Sequence, residues 1–213
     1  MHRKSGDSKE EKIMQATRKV GMSTKTMVLA AILTALVVVL QFIGQTIRLG
    51  PFMISLVLIP IVIGAATCGP AIGGWLGFVF GIFVLISGDA AAFLAVDVFG
   101  TIVTVLLKGI LCGVAAGYVY KLLEGKSKVL AVIVAAIVCP VVNTGVFLLG
   151  CTVFFMDTIR FWKGISAVAY ESVVAYMFLG LVGGNFLVEL GMNLVLSPAI
   201  VRLVNMAEEK FSK

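Results

Sequence analysis

The sequence predicts an all-α integral membrane protein, a bundle of six transmembrane helices with both termini in the cytosol. Of its 213 residues, 60% are hydrophobic and 13% are charged, whereas a soluble domain carries about 25% charged residues. The mean hydropathy is +1.10. Several apolar runs approach the roughly 20 residues that a helix needs to cross a bilayer. This composition excludes an ordinary soluble enzyme, a disordered tail and a secreted disulfide scaffold.

Six apolar segments are the candidate spans. The first follows a basic stretch that ends at Lys25. The second and third are short and are separated by Cys68-Gly69-Pro70, where the proline would end a helix. These two could cross the membrane or form a re-entrant pair, and either arrangement leaves both termini on one side. The segments cover about 26–47, 52–67, 71–86, 99–123, 129–153 and 173–204.

The basic residues orient the bundle. With the N-terminus inside, thirteen of the 17 lysine and arginine residues lie on the cytosolic side. This bias agrees with the positive-inside rule, so we expect a multi-pass protein of the cell membrane. The net charge of +6 is then a topology signal and a surface for anionic lipid headgroups. It gives no support to a nucleic-acid partner.

The chain is predicted to form one membrane domain, residues 26–205, between a cytosolic N-terminal tail (1–25) and a cytosolic C-terminal tail (206–213). About 25 mostly polar residues precede the first apolar run. That apolar run is longer than the apolar region of a signal peptide. We therefore expect no cleavable signal peptide.

Glycine recurs at four-residue intervals along the spans, and residues four apart share a helix face. Glycine on such a face lets two backbones approach closely in lipid. The pattern predicts tight packing within the bundle; the alternative is a surface that slides against a partner. Ala31 and Ala35 form a similar small-residue face on the first span. The glycines concerned are Gly69, Gly73, Gly77 and Gly81, then Gly109, Gly113 and Gly117, then Gly180 and Gly184.

Polar groups within spans are costly and often mark functional sites. Lys108 lies near the middle of the fourth span and Asn143 in the outer half of the fifth. Asn185 and Glu189 lie on one face of the sixth. Lys108 and Glu189 could form an ion pair, or either could contact a ligand, and the asparagines could equally join helix to helix.

The outer side of the predicted bundle gathers further charged residues above this polar strip. Among them are Arg48, Asp89, Asp97 and Glu171. Scattered loop charges are usually only solvated, but this layout would suit a small polar solute that binds from outside.

Several kinds of chemistry find no support in the sequence. The single histidine, His2, lies in the tail, so neither a histidine metal site nor a histidine base is predicted. No phosphate-binding G-x-x-x-x-G-K-[ST] loop and no G-x-S-x-G nucleophile elbow occurs. The four cysteines lack ligand or redox spacing. We therefore predict no catalytic residue, metal or cofactor.

The order and spacing of several motifs resemble the substrate-binding S components of energy-coupling factor (ECF) transporters, which import vitamins into bacteria and archaea. The resemblance covers residues from about 25 to 205. No single motif is specific, but their order and spacing along a six-span chain are. The motifs are the stretch 27–36 with its Ala31-x-x-x-Ala35 pair, the stretch 56–60, Gly69-Pro70-x-x-Gly73-x-x-x-Gly77, and Lys108-Gly109 with Gly113 and Gly117.

The resemblance implies a transporter subunit without its own ATPase. Such a subunit binds a vitamin or related micronutrient in a pocket open to the outside. It works with a membrane coupling protein and two ABC ATPase subunits, and no cofactor is implied. The small-residue motif of the first helix is the docking face for the coupling protein, which here is Ala31 and Ala35.

The resemblance also places the pocket in the outer loops and helices four to six. That region corresponds here to Arg48, Asp89, Asp97, Lys108, Asn143, Glu171 and Asn185. Riboflavin-like and pantothenate-like solutes are compatible with it, as is an undescribed solute. An aromatic-rich pattern typical of a thiamine binder is not evident, since the only tryptophans are Trp75 and Trp162.

Other functional classes remain open from the sequence. A membrane-embedded enzyme acting on lipid or peptide would need reactive groups at one depth, but Glu189, Lys108 and Asp97 lie apart along their helices. A channel would line a through-path with polar residues, whereas the cytosolic halves of the spans are almost purely apolar. An energy-independent transporter of small solutes is a further alternative.

Overall fold

The computed structural model describes residues 23–46, 48–49, 52–53 and 56–212, and these ranges are almost entirely helical. In chain order the elements are α1 (Thr24–Thr46), β1 (Arg48–Leu49), β2 (Phe52–Met53), α2 (Leu58–Cys68), α3 (Pro70–Ser87), α4 (Ala91–Leu94), α5 (Val98–Leu123), α6 (Lys128–Phe154), α7 (Met156–Ile165), α8 (Val173–Ala175), a π-helical segment (Tyr176–Leu181) and α9 (Gly183–Ser212).

Five helices of the described residues are long and apolar enough to cross a membrane, namely α1, α3, α5, α6 and α9. Many of their large apolar side chains point away from the protein; Leu149 and Val195 are 65% and 73% exposed. Water would penalise such surfaces, whereas lipid accepts them. The all-α multi-pass membrane architecture predicted from the sequence is therefore confirmed at this level.

The second and sixth predicted spans differ from the structure. The segment predicted at about 52–67 begins with β2, which pairs antiparallel with β1, and becomes helical only at Leu58. The resulting α2 has 11 residues, or about 16 Å at 1.5 Å per residue, which is shorter than a full span. The sixth segment is divided, because the amide of Val182 bonds to the carbonyl of Met177 five residues earlier, the π-helical pattern.

Glycines with positive φ mark both ends of α3. Gly69 has φ 92° and Gly88 has φ 93°, values that side-chain-bearing residues rarely adopt. Pro70 then occupies the first turn of α3, where its missing N–H is not needed. The break predicted at Cys68-Gly69-Pro70 is thus a tight turn between α2 and α3.

Helices α3 and α5 are in direct backbone contact. A Cβ added to Gly77 would overlap the carbonyl of Gly109, and one added to Gly113 would overlap the carbonyl of Gly73. At the far end of this contact, Gly117 lies against Pro70. The two helices are therefore antiparallel. The predicted tight packing is confirmed here, and the glycine face of α3 is not free to slide against another protein.

Helices α1 and α3 run in the same direction. The Trp75 indole nitrogen donates to Thr34 Oγ1 at 3.2 Å, and the Phe42 and Phe83 rings lie 5.7 Å apart further along both helices. The chain between α1 and α3 must therefore return along the bundle. We call the end that carries β1, β2, α4 and α7 the loop-rich end, and the end with Gly69 and residues 124–127 the turn end.

The glycine contact gives a first prediction. Gly77→Ala should lower the stability of the purified protein by about 1–3 kcal/mol, because the new methyl group must force the backbones of α3 and α5 apart. Gly145→Ala on α6 is the matched control, since nothing lies within 4 Å of its added Cβ. Thermal unfolding in detergent measures both. Equal midpoints for the two variants would contradict the close contact.

Candidate functional site

A cavity of about 490 Å³ opens among the helices near the loop-rich end, within the size range of small-molecule sites. Its lining comes from α1, α3, α5, α6, the start of α9 and the connections between them. The polar lining residues are Gln41, Asp89, Thr101, Thr104, Lys108, Asn143, Thr144, Tyr170, Asn185 and Glu189. The phenylalanines are Phe80, Phe93, Phe147, Phe155 and Phe186.

Helix α5 supplies a polar row to the cavity. Thr101, Thr104 and Lys108 line it, and their spacing of three and four residues places them on one helix face. Gly109 and Gly113 lie on a different face, against α3. The glycines on one face of α5 therefore fix the position of the helix against α3, and the polar residues on another face line the cavity.

Lys108 contacts two aromatic rings. Its ammonium nitrogen lies 5.6 Å from the centroid of Phe80 and 5.3 Å from that of Phe147, distances typical of cation–π contacts. It does not come within 4.0 Å of the Glu189 carboxylate, although the two charges interact through space. The direct ion pair considered from the sequence is therefore not formed.

Glu189 is held by asparagines. The Asn185 amide donates to Glu189 Oε1 at 3.4 Å, and the Asn143 amide interacts with the same carboxylate. Glu189 and Asn143 are 4% and 5% exposed. Since a carboxylate accepts hydrogen bonds, each asparagine turns its NH₂ toward it and leaves its oxygen free. The atoms Asn143 Oδ1, Asn185 Oδ1 and Thr104 Oγ1 are buried without a hydrogen-bond partner.

Asp89 closes one side of the cavity through a bond to α1. The buried Gln41 amide donates to Asp89 Oδ2 at 2.5 Å and to Ser87 Oγ at 3.4 Å. This bond joins α1 to the segment that follows α3. A charge-assisted hydrogen bond of this kind also fixes the direction of the carboxylate.

An aromatic cluster covers the same end. The Phe93 ring lies 5.4 Å from Phe147, 5.0 Å from Phe155 and 5.2 Å from Trp162, each time edge to face. Phe93 sits on α4 and Trp162 on α7, so the cluster packs both short helices onto α6. Such ring pairs contribute about 0.5–1.5 kcal/mol each beyond burial.

The structure brings together four of the seven predicted pocket residues. Asp89, Lys108, Asn143 and Asn185 line the cavity. Asp97 does not, and lies instead at the start of α5; Glu171 is exposed outside the lining. The backbone of Arg48 belongs to β1, and its side chain lies outside the described part of the chain.

The sequence interpretation missed several lining residues. Gln41, Thr101 and Thr104 were not singled out, although the spacing of the two threonines from Lys108 places all three on one face. The count of tryptophans was also a poor guide to aromatic character. Neither Trp75 nor Trp162 lines the cavity, whereas five phenylalanines and a tyrosine do.

The described residues contain no group of three or more histidine, cysteine, aspartate or glutamate side chains placed to hold a metal. What the cavity offers is one cation, two carboxylates, amide and hydroxyl groups and aromatic walls. This combination of groups is typical of sites that bind organic molecules by hydrogen bonds and apolar contact.

These features define a polytopic membrane protein with a cavity of small-molecule size near one end of its bundle. The sequence profile of the family described as "ECF transporter, substrate-specific component" matches residues 25–201. The chain belongs to this family, as its motifs predicted, and is a transporter subunit rather than an enzyme. Comparison with curated proteins gave no match.

The bond at the cavity edge gives a second prediction. Asp89→Ala should destabilise the ligand-free protein by about 1–3 kcal/mol, because the buried Gln41 amide loses its best acceptor. Asp97→Ala serves as the control, since the Asp97 side chain makes no capping hydrogen bond to α5. In thermal unfolding, Asp89→Ala should have a lower midpoint than Asp97→Ala. An unchanged midpoint for Asp89→Ala would count against the bond.

Proposed function

We propose that this protein binds a vitamin or related micronutrient in the cavity from outside and delivers it inward. It does so together with a membrane coupling protein and two ABC ATPase subunits. The observation that carries the proposal is the cavity itself, where polar groups from α1, α5, α6 and α9 converge inside an apolar bundle. Membership of the ECF substrate-specific family supports the transport role.

The proposed orientation places both termini in the cytosol. Because α1 and α3 are parallel, the connection through β2 and α2 returns to the turn end, so α2 contributes the sixth, shorter crossing. Helix α9 then ends at the turn end of the bundle, which is also the end at which α1 begins. Lys121, Lys126 and Lys128 lie at the turn end, which supports a cytosolic position for that end. The loop-rich end and its cavity then face outward.

We propose that residues 26–205 form a single membrane domain between two cytosolic tails. The helices that build the cavity are the same ones that build the bundle core, since α3, α5 and α6 contribute to both. The proposed binding site is therefore integral to the membrane domain.

The proposed docking face for the coupling protein is on α1. Ala31 and Ala35 are exposed there, while Leu33 and Val37 on the other side of the helix are buried in the core. Small exposed residues let a partner helix approach closely in lipid. The glycine face of α3, considered from the sequence as a second sliding surface, is covered by α5.

The docking proposal gives a third prediction. Replacing Ala31 and Ala35 together with tryptophan should abolish co-purification with the coupling protein, because the bulky rings would hold the partner helix away. Ligand binding should persist, since neither residue lines the cavity. Ala199→Trp on the exposed side of α9 is the matched control. Co-purification of the double variant at the wild-type level would exclude this face.

The binding proposal gives a fourth prediction. In a thermal-shift screen over water-soluble vitamins and nucleobase-like compounds, at least one compound should raise the unfolding midpoint. A ligand present at about 100 times its Kd stabilises the folded state by about 2.7 kcal/mol. Mass spectrometry of the purified protein should reveal the same compound if it is carried along. Uptake by this chain alone in liposomes would instead favour an energy-independent transporter.

A further inference from the structure

The cavity contains a cation without an anion beside it. Among the described residues no carboxylate lies within 4.0 Å of the Lys108 ammonium, and no hydrogen-bond acceptor contacts it. Its close neighbours are the ring faces of Phe80 and Phe147. Ring faces stabilise a cation but leave its three N–H donors unused. An ammonium at membrane depth whose N–H donors have no acceptor is costly, and the more distant Glu189 carboxylate offsets that cost only in part, which points to an anionic group that arrives with a ligand.

Each of the two carboxylates in the cavity already accepts a hydrogen bond from a side-chain amide. Asp89 accepts from Gln41, and Glu189 accepts from Asn185 and interacts with Asn143. A cationic ligand would have to compete with these donors. Both carboxylates keep some acceptor capacity, but the donors without an acceptor are those of the Lys108 ammonium.

The neutral oxygens complement the ammonium. Asn143 Oδ1, Asn185 Oδ1 and Thr104 Oγ1 lack partners, and their residues line the same cavity as Lys108. Buried polar atoms without partners are uncommon in folded proteins. A ligand with hydroxyl or amide N–H groups next to its anionic group would supply the missing donors.

Resting on the function proposed above, we infer that the ligand is a small organic monoanion, a carboxylic acid that also carries hydroxyl or amide N–H donors. Its carboxylate binds Lys108 and its donors bind the free oxygens of the asparagines. A carboxylate suits the site better than a phosphate dianion, because Asp89 and Glu189 repel a dianion about twice as strongly as a monoanion. The apolar part of the ligand packs on the Phe80 and Phe147 rings.

The test compares matched pairs of compounds by thermal shift and by isothermal titration of the detergent-purified protein. The pairs are pantothenate with pantothenol, biotin with biotinamide, nicotinate with nicotinamide, and riboflavin 5′-phosphate with riboflavin. The proposal expects at least one carboxylic acid to bind, and to bind about tenfold or more tightly than its neutral partner. No binding by any of the acids, equal binding by acid and neutral partner, or preference for the phosphate ester would overturn it.

A variant ties the effect to the ammonium. Lys108→Met should weaken the acid about 10- to 100-fold and change the affinity of the neutral partner less than about threefold. Lys121→Met, on the same helix but at the turn end, should leave both affinities unchanged. An acid that binds Lys108→Met as tightly as it binds the wild type would overturn the assignment. If Lys108→Met does not fold, the comparison of the pairs on the wild-type protein still decides.

The outcomes separate this inference from the proposed function. If a neutral compound binds and no acid does, the monoanion proposal is wrong while small-molecule binding stands. If no compound in either the vitamin screen or the paired set binds, and the purified protein carries none, both proposals fail.

Discussion

The architecture depends on one contact, the direct approach of the α3 and α5 backbones at their glycines. Because no side chain lies between Gly77 and Gly109, or between Gly73 and Gly113, α5 can neither rotate nor slide without a backbone clash. Fixing that face of α5 also fixes the neighbouring face, which presents Lys108 and the two threonines to the cavity. Close backbone contact at small residues is a common basis of helix association in membranes. Large apolar side chains gain little from leaving lipid, because lipid is equally apolar.

The second constraint is electrostatic. A bundle that buries Lys108 and Glu189 could have joined them directly, which would neutralise both charges and leave little for a ligand to bind. Instead the ammonium lies on two phenylalanine rings and the carboxylate lies among amides. Each charge is partly stabilised by its own neighbours while the two still attract through space. Separate stabilisation keeps a charged group available in a site that lipid would otherwise make prohibitively costly.

The sequence predicts the long spans well because length and hydropathy are local properties. The helices α1, α5 and α6 begin and end within about two residues of the predicted limits. The prediction fails near Phe52 and Val182, where apolar residues form a strand and a π-helical turn, and hydropathy alone does not distinguish these from a helix.

The candidate site could be predicted only in part. Asp89 and Lys108 are recognisable in the sequence as charges beside or within spans, but Gln41 is placed at the cavity by its bond to Asp89. Convergence of helix faces is a property of the fold, so Phe80, Phe93 and Phe147 carried no distinguishing mark in the sequence.

The two ends of the bundle differ in a way that bears on transport. Below the cavity, toward the turn end, α5 carries Cys112, Ala116 and Tyr120, which are all fully buried in the core. The same core includes Ile61 of α2 and Leu76 of α3. Under the proposed function, a solute in the cavity meets packed side chains of the described residues toward the turn end, and packed interiors have low compressibility. Delivery to the other side then requires a change in the position of helices or of the whole subunit. Under the proposed function, that work falls to the ATP-hydrolysing partners, and the exposed small-residue face of α1 is where it would be transmitted.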